Sequence, residues 1–327
     1  MSQVPSISLV IPLYNEEKVF SDLITRLNQL IQQFPDSIEV VLVDDGSKDN
    51  TAELMQALSL SNPHYTSLFL SRNFGHQVAL SAGLAHCRGT KAIMVLDGDL
   101  QDPPELLDSF YSKLNEGYDV VYAVRKKRKE GIIKKMCYHL YYRLLGNISY
   151  INLPVDSGDF CLMSRRVVDV INKMPEESRY IRGMRSWVGF KQIGIEYDRD
   201  ERLAGKTKYN LSMLFKLAYN GIFNFSEIPI KFISRLGILS IIVSMGYLAM
   251  VLFKKFFSDQ VPTGFTALIV AIVLFSGVQL ISIGIIGEYV LRIFFQVKQR
   301  PIFLLKSKIE DGNEQTSSPL AQTNSNV

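Results

Sequence analysis

Several residue types are scarce in this sequence, and each shortage removes a class of protein. Only three cysteines occur in 327 residues, Cys87, Cys137 and Cys161, with neither paired spacing nor a CxxC. That excludes a disulfide-stapled miniprotein, argues against structural zinc and points to a reducing compartment. His64, His86 and His139 show no metal-like spacing. No GxGxxG follows the first apolar run and no GxxxxGK[ST] occurs anywhere, so a dinucleotide site and a P-loop both lose support. Met1 to Pro5 offers neither a basic start nor an apolar run, so no signal peptide is expected. No internal repeat is visible.

Hydrophobic content is plentiful. At 47% it suffices for a packed core and excludes a disordered or collagen-like chain, and the length suits one large domain or two small ones. The net charge of +4 is unevenly placed. Arg125 to Lys135 holds seven Lys or Arg against one Glu, and the rest of the chain has 29 basic and 31 acidic residues. The basic excess is therefore one patch, either a solvated loop or an anion-binding rim.

Two uncharged runs follow late in the chain. Residues 236–253 number 18 and residues 260–287 number 28. At about 1.5 Å per helical residue the first alone reaches roughly 27 Å, near the thickness of a bilayer's hydrocarbon core. A single such run could be a buried soluble helix; two in succession favour a transmembrane hairpin, with spans at about 234–254 and 264–287. Lys231 and Arg235 precede it and Arg292, Lys298, Arg300, Lys306 and Lys308 follow it, against Lys254 and Lys255 in the connection. That asymmetry puts both termini in the cytoplasm. Glu288 and Arg292, four apart, are expected at the interface, where they can pair. Gly277, Gly284 and Gly287 would let another helix approach closely, which leaves a homo-oligomer open. An amphipathic stretch over 209–225, stopped by Pro229, is either a core-facing helix or one lying in the headgroup layer. The expected division is a head over 1–230 (juxtamembrane helix 209–230), an anchor over 231–308 with a basic flank, and a polar, disordered tail over 309–327.

The head alternates strand and helix. Strands are expected at 7–12, 39–43, 66–70 and 92–96, with helices at 16–34, 51–59 and 77–87 between them. This implies an α/β, Rossmann-like, mostly parallel sheet with helices on both faces, whose ligands bind beyond the carboxyl ends of the strands. Polar clusters stand at those ends. Asp97-Gly98-Asp99 puts two carboxylates at the fourth, with Gly98 letting the chain turn and Gln101 and Asp102 close behind. Hard oxygen donors so spaced suit Mg²⁺ or Mn²⁺ shared with phosphates, although a lone DxD is more often a plain turn.

Those clusters also carry a resemblance. Ser8 to Glu17 (SLVIPLYNEE), Val43 to Thr51 (VDDGSKDNT) and Leu96 to Pro104 (LDGDLQDPP) resemble the motifs of family-2 glycosyltransferases. Arg72 to Gln77 (RNFGHQ), Glu201 to Tyr209 (ERLAGKTKY) and Gly287 to Arg292 (GEYVLR) narrow it to the dolichol-phosphate-mannose-synthase-like branch, especially bacterial polyprenyl-phosphate (bactoprenol) glucosyltransferases with a two-helix C-terminal anchor. The resemblance covers nearly the whole chain except its tail.

It implies a GT-A fold, a nucleotide-sugar donor, a divalent metal and inversion at the anomeric carbon. By similarity Pro12, Tyr14 and Glu16 line the nucleoside pocket, Asp44 takes the base edge, Asp97 faces the ribose and metal, and Asp99 and Gln101 ligate the metal. Arg202 and Lys208 reach the donor diphosphate from a loop made mobile by Ala204-Gly205. Arg125, Lys135 and Arg143 match the neighbourhood that binds acceptor phosphate, which gives the basic patch a role. Asp156 to Asp159 (DSGD) resembles the segment with a proposed catalytic base; position favours Asp156 over Asp159, and a plain turn is its other reading. His76 stands where mannose synthases tend to carry Lys, which weighs against mannose, although a histidine held by local hydrogen bonds is an equal alternative. Arg185-Ser186-Trp187 weakly resembles the QxxRW of processive synthases, but no Gln precedes it and two spans are too few for a polymer channel. The expected protein is thus a multi-pass enzyme of the bacterial inner membrane, with its catalytic domain cytoplasmic. It moves one hexose, glucose first, from a UDP-sugar to undecaprenyl phosphate, with no nucleic-acid partner. Mannose or amino-arabinose transfer, and a non-catalytic nucleotide-sugar sensor or scaffold, are the rivals.

Overall fold

The four N-terminal apolar runs form strands β1 (Ile7–Leu13), β2 (Ile38–Asp44), β3 (Tyr65–Leu70) and β4 (Ala92–Val95), every residue of them buried. Burial along the whole length is what a parallel strand covered on both faces requires. The coordinates are a computed structural model that describes residues 4–34, 37–126, 157–198, 228–258 and 264–316. Helices α1 (Glu17–Gln33), α2 (Thr51–Ser61) and α3 (His76–His86) connect the strands. α1 shows why they dock: Val19, Phe20, Leu23, Leu27 and Leu30 recur three or four residues apart and all are buried. β1 pairs in parallel with β2 and β4, and β2 with β3. Alternation along β1 then divides its side chains, with Ile7, Leu9, Ile11 and Leu13 in one core layer and Val10 in the other.

A short 3₁₀ turn at Pro104–Leu106 leads into α4 (Leu107–Asn115) and β5 (Val120–Arg125). β6 (Ser157–Ser164), α5 (Arg165–Lys173), α6 (Ile181–Trp187) and β7 (Gln192–Tyr197) follow. β6 runs antiparallel to both β4 and β5, while β5 and β7 are parallel. The whole sheet, β7-β5-β6-β4-β1-β2-β3-β8-β9, is therefore mixed, with the expected parallel core at β4-β1-β2-β3. The reversal of β6 has a consequence for chemistry. It brings the start of β6 and the ends of β5 and β7 to the edge where β1 to β4 finish.

The end of the chain overturns one expectation. β8 (Leu305–Glu310) pairs antiparallel with β3, and β9 (Asn313–Thr316) pairs with β8. Residues 305–308 thus belong to the sheet, not to an anchor flank, and the tail expected at 309–327 is a strand hairpin through Thr316. Composition misled here because the anchoring is provided by few residues: Leu305 and Ile309 are buried, and Asp311 joins an ion-pair network. At its centre is Glu39, 2% exposed, which accepts hydrogen bonds from Ser8 Oγ (2.7 Å), Arg88 Nε (2.8 Å) and Arg88 N (2.9 Å). Arg88 Nη1 reaches Asp311 at 3.1 Å, tying the hairpin to the loop after α3.

α7 (Ile228–Ser258) and α8 (Phe265–Val297) form a second compact unit, while the segment from Arg300 on belongs with the sheet. Both helices are long and apolar enough to cross a membrane, over Ile230–Val251 and Leu274–Val297, and side chains such as Ile238, Leu239, Ile241, Leu280 and Ile283 are exposed. Within α8 Glu288 and Arg292 pair with each other, Arg292 Nη2 to Glu288 Oε1 at 2.8 Å. Pro229 falls in the first turn of α7, where a missing N–H costs nothing. Among the described residues, and apart from the surrounding backbone of α8 itself, no atom lies within 4 Å of where a Cβ would stand at Gly277, Gly284 or Gly287. The amphipathic stretch expected over 209–225 lies outside the described residues.

Candidate active site

The loop after β4 is shaped by space and by one unusual backbone angle. A Cβ on Gly98 would run into the Leu13 side chain and lie 3.4 Å from the Pro12 carbonyl oxygen, so glycine is needed there for close packing against β1. The turning itself is done by Leu100, at φ 59°, whose side chain is buried in the core. A left-handed leucine stores strain of about 1–2 kcal/mol, which its burial offsets. Asp99 Oδ1 accepts the Gln101 N–H at 3.2 Å, and the buried Asp102 accepts from the Tyr197 hydroxyl at 2.5 Å.

The loops after β1 and β2 are laced together. Asn15 N donates to Ser47 Oγ (3.0 Å), Lys48 N to Asn15 Oδ1 (2.7 Å) and Glu16 N to Thr51 Oγ1 (3.0 Å). This fixes Tyr14 and Glu16, both part-exposed, beside the buried Asp44, and Pro12 lies in β1 opposite Val43. Burial raises the Asp44 carboxyl above the usual range, against hydrogen bonds from Ser47 that favour its charge. Asp45 turns the other way and accepts the N–H groups of Phe74 (2.7 Å) and Gly75 (2.9 Å), which sets the entry to α3.

At that entry His76 Nε2 lies 3.5 Å from Asp97 Oδ1 and 3.6 Å from Asp159 Oδ2. Burial opposes charge on the imidazole, but Asp159, Asp97 and Asp45 outweigh it and push the pKa up to about 9. The surrounding carboxylates therefore favour the cationic form of His76. Asp97 is raised to about 6, first by burial and then by Asp102, Asp159 and Asp99, with His76 pulling it down. Asp159 goes the opposite way. Burial alone would raise it, yet Arg182 (Nε to Oδ1, 3.7 Å), His76 and Arg185 hold it well below the usual carboxylate range. Gln77 Nε2 also donates to Asp159 Oδ2 at 2.8 Å. Arg185 is 1% exposed, with its guanidinium over the Tyr122 ring at 5.3 Å.

Pro12, Tyr14, Glu16, Asp44, Asp97, Asp99, Gln101, Arg125 and Asp159 all stand at the same end of the sheet. Asp156, Lys135, Arg143, Arg202 and Lys208 lie outside the described residues. Sequence reasoning missed Arg182 and Tyr197, and it marked Asp45 only as part of the cluster that follows β2. It noticed Gln77 only as part of Arg72 to Gln77, the one signal that pointed to it; Tyr197 carried none.

The chain's relatives follow the same lines. A profile described as Glycosyl transferase family 2 matches residues 8–171. The "Uncharacterized glycosyltransferase YkcC" of Bacillus subtilis (strain 168) is 45% identical over 307 residues, covering 94% of this chain and 95% of that protein. The chain belongs to glycosyl transferase family 2. Another family member, the "SfII prophage-derived bactoprenol glucosyl transferase" of Shigella flexneri, is 38% identical over 308 residues, 94% of this chain and 99% of that one. Among solved structures, residues 1–349 of S. aureus TarS match at TM-score 0.44 and 16% identity, covering 67% of this chain and 66% of that chain. The mixed α/β sheet of this family-2 glycosyltransferase is GT-A-like.

Its acidic loop can be tested for a divalent cation. Among the described residues no three His, Cys, Asp or Glu side chains converge as a ready-made metal cage. Asp97, Asp99 and Gln101 nonetheless offer hard oxygen donors that could serve such a cation. Asp97 is raised first by burial, with Asp102, Asp159 and Asp99 adding to it, and a cation at the loop would favour its charged form. Mg²⁺ and Mn²⁺ are commonly held by one or two carboxylates plus phosphates of the substrate. The loop fits a cation that arrives with a diphosphate.

Proposed function

We propose that this family-2 enzyme transfers one glucose from UDP-glucose to polyprenyl phosphate, giving polyprenyl-phosphate glucose and UDP with inversion at the anomeric carbon. The observation that carries this reading is the meeting, at one end of the sheet, of the Asp97–Asp102 loop with Arg125 through Tyr197. A carboxylate ledge suited to a nucleotide sugar thereby adjoins a cation suited to a phosphate acceptor. Support for the acceptor and sugar comes from the bactoprenol glucosyl transferase relatives, which align over nearly the entire chain.

The chemistry follows from the acceptor's charge. A phosphate monoester has its second pKa near ~6, so at neutral pH it is largely a dianion and already a nucleophile. One of its oxygens forms a bond to the anomeric carbon from the face opposite the leaving group. The bond from that carbon to the UDP oxygen breaks, and UDP departs with the electron pair. No proton needs removing. The protein's task is alignment and offsetting repulsion between anions. Pro12, Tyr14, Glu16 and Asp44 hold the nucleoside, Arg202 and Lys208 the donor diphosphate, and Arg125, with Lys135 and Arg143, the acceptor phosphate. Asp159, tied to His76, Arg182 and Gln77, orients cations rather than accepting a proton, and Asp156 is either an orienting group or a base for the minor fraction of acceptor that is still protonated. A divalent cation on Asp97, Asp99 and Gln101 would neutralise charge on the leaving diphosphate.

The same reading places α7 and α8 across the cytoplasmic membrane as a hairpin. Its support is topological: β7 precedes the pair and β8, which follows it, pairs with β3 of the same sheet. A chain that leaves the sheet and returns to it is consistent with two crossings. Basic flanks put the sheet's side in the cytoplasm.

The test is purified protein in lipid nanodiscs with UDP-glucose, Mg²⁺ and polyprenyl phosphate, with products read by mass. Lipid-linked glucose is expected. Lipid-linked mannose or amino-arabinose from a donor panel would replace the sugar but keep the chemistry. Donor binding without any lipid-linked product would turn the reading to a nucleotide-sugar sensor.

A further inference from the structure

Arg125, the cation at the centre of the acceptor reading, is held in place by a device that neither motif nor charge run announces. Arg125 ends β5 and Tyr197 ends β7, and the two are register partners in a parallel pair. The Tyr197 hydroxyl donates to Asp102 Oδ1 at 2.5 Å and stands beside the Arg125 guanidinium, whose charge it favours. A phenol has one proton to give, and burial together with Asp102 pushes its pKa upward, so that proton stays. With the proton committed to Asp102, the oxygen lone pair is what faces Arg125. The ring cannot swing away, since it packs edge-on against Phe160 at 5.7 Å, and Phe160 packs in turn on Phe110 at 5.3 Å. On its other side the guanidinium lies against Gly158, where a Cβ would stand 3.5 Å from Nη2. Arg125 Nε is buried with no hydrogen-bond partner among the described residues, a costly state that an incoming oxyanion would relieve.

We propose that Tyr197 and Asp102 form a positioning clamp that fixes the Arg125 guanidinium for the phosphate of the lipid acceptor. A neutral hydroxyl between Asp102 and Arg125 keeps the carboxylate from occupying the guanidinium fork itself. The fork is oriented by the protein yet remains available for bidentate contact with a phosphate. The proposal rests on the reading of Arg125 as the acceptor's ligand. It adds two residues, from β7 and from the acidic loop, whose effect passes through Arg125 and not through the donor.

Tyr197→Phe keeps the ring and its contact with Phe160 while removing the hydroxyl that binds Asp102 and faces Arg125. The acceptor KM should rise about tenfold, the size expected for loss of a hydrogen bond to a charged group, with the UDP-glucose KM within about twofold of the wild type. Arg125→Lys should raise the acceptor KM at least as much, and Tyr197→Phe added to it should change little further, since both act through one guanidinium. An unchanged acceptor KM in Tyr197→Phe, equal rises in both KM values, or additive effects in the double variant would overturn the clamp. A second readout is independent of turnover: binding of dodecyl phosphate in neutral micelles, by titration calorimetry, to wild type, Tyr197→Phe and Asp102→Asn. Weaker binding in Tyr197→Phe, and a smaller loss in Asp102→Asn, supports the clamp even if the wild type transfers no sugar, in which case the functional reading falls alone. Equal binding by all three rejects the clamp whatever the enzyme transfers.

Discussion

Gln77 Nε2 donates to Asp159 Oδ2 at 2.8 Å, while Gln77 Oε1 accepts the backbone N–H of Ile181, also at 2.8 Å. One side-chain amide thereby joins the first turn of α3, the start of β6 and the start of α6. These are three elements on which His76, Asp159 and Arg182 stand. The candidate site is held by that amide as much as by its own ion pairs.

Gln77→Ala leaves Asp159 and the Ile181 N–H each short of a partner, which should cost about 1–3 kcal/mol of stability and lower kcat. Gln77→Glu places a second carboxylate against Asp159 and should lower the melting temperature further. A Gln77→Glu protein as stable as Gln77→Ala would mean that the contact with Asp159 is not made.

Asp99 is part-exposed and its loop is anchored by the buried Leu100 instead. Asp99→Ala should therefore melt within a degree or two of the wild type while sugar transfer drops by at least about a hundredfold, the scale of losing a key electrostatic stabiliser. Near-normal transfer would remove Asp99 from the cation's ligands.

At Gly98 the argument is steric. Gly98→Ala forces a methyl against Leu13 and the Pro12 carbonyl, an overpacking that should cost about 1–3 kcal/mol. It also displaces Asp97 and Asp99, so transfer should fall together with stability. Transfer falling with no change in melting would contradict the packing explanation.

Removing the Arg88 guanidinium leaves the buried Glu39 with Ser8, Thr66 and one backbone N–H as its remaining donors. Breaking a buried ion pair usually costs ~3–5 kcal/mol; the partial exposure of Arg88 and those remaining hydrogen bonds bring the expectation for Arg88→Ala to about 2–3 kcal/mol. Amide exchange over residues 305–316 should accelerate more than exchange in β1. Uniform acceleration would show that Arg88 does not anchor the hairpin.

Acid should loosen the same region. His86 Nδ1 meets the Ala82 carbonyl at 2.9 Å and its ring packs edge-on to Phe303. Burial, with help from Lys308, lowers its pKa from the ordinary 6.5, although the Ala82 carbonyl and Glu310 pull upward. The unfolded chain then takes up a proton before the folded one does. The stability linked to His86 is complete above pH ~6.5 and is lost as pH falls through the lowered value. His76 and Asp97, with raised pKa values, gain stability over the same acid shift, so the His86 effect is read as a difference: between about pH 7.5 and about pH 5.5 His86→Gln should lose less, or gain more, melting temperature than the wild type. Identical pH responses would assign the effect to another group.

Local pattern made much of this legible. Strands β1 to β4 are continuous apolar runs and α1 is strongly amphipathic, so both declared themselves within a few residues of their observed ends. The polar clusters at the strand ends were visible for the same reason, because a parallel sheet sends every such cluster to one edge. Gly98 was recognised as necessary for the wrong reason, since a sequence shows a glycine but not the Leu13 side chain packed against it. The hairpin β8–β9 was read as a tail because Leu305 and Ile309 are two apolar residues among polar ones, and only the unpaired edge of β3 makes a strand of them.

By itself the sequence determined what depends on nearest neighbours: the four parallel strands, the acidic loop of Asp97 to Asp102, two helices apolar enough for a bilayer, and membership of the glycosyl transferase family. Tertiary structure alone decided what depends on pairing across long separations. The antiparallel insertion of β6 puts Asp159 beside His76 and Arg182, and the β5–β7 register sets Tyr197 between Arg125 and Asp102. Such contacts join residues tens of positions apart, and their energy depends on where the sheet places each side chain, which no local spacing encodes.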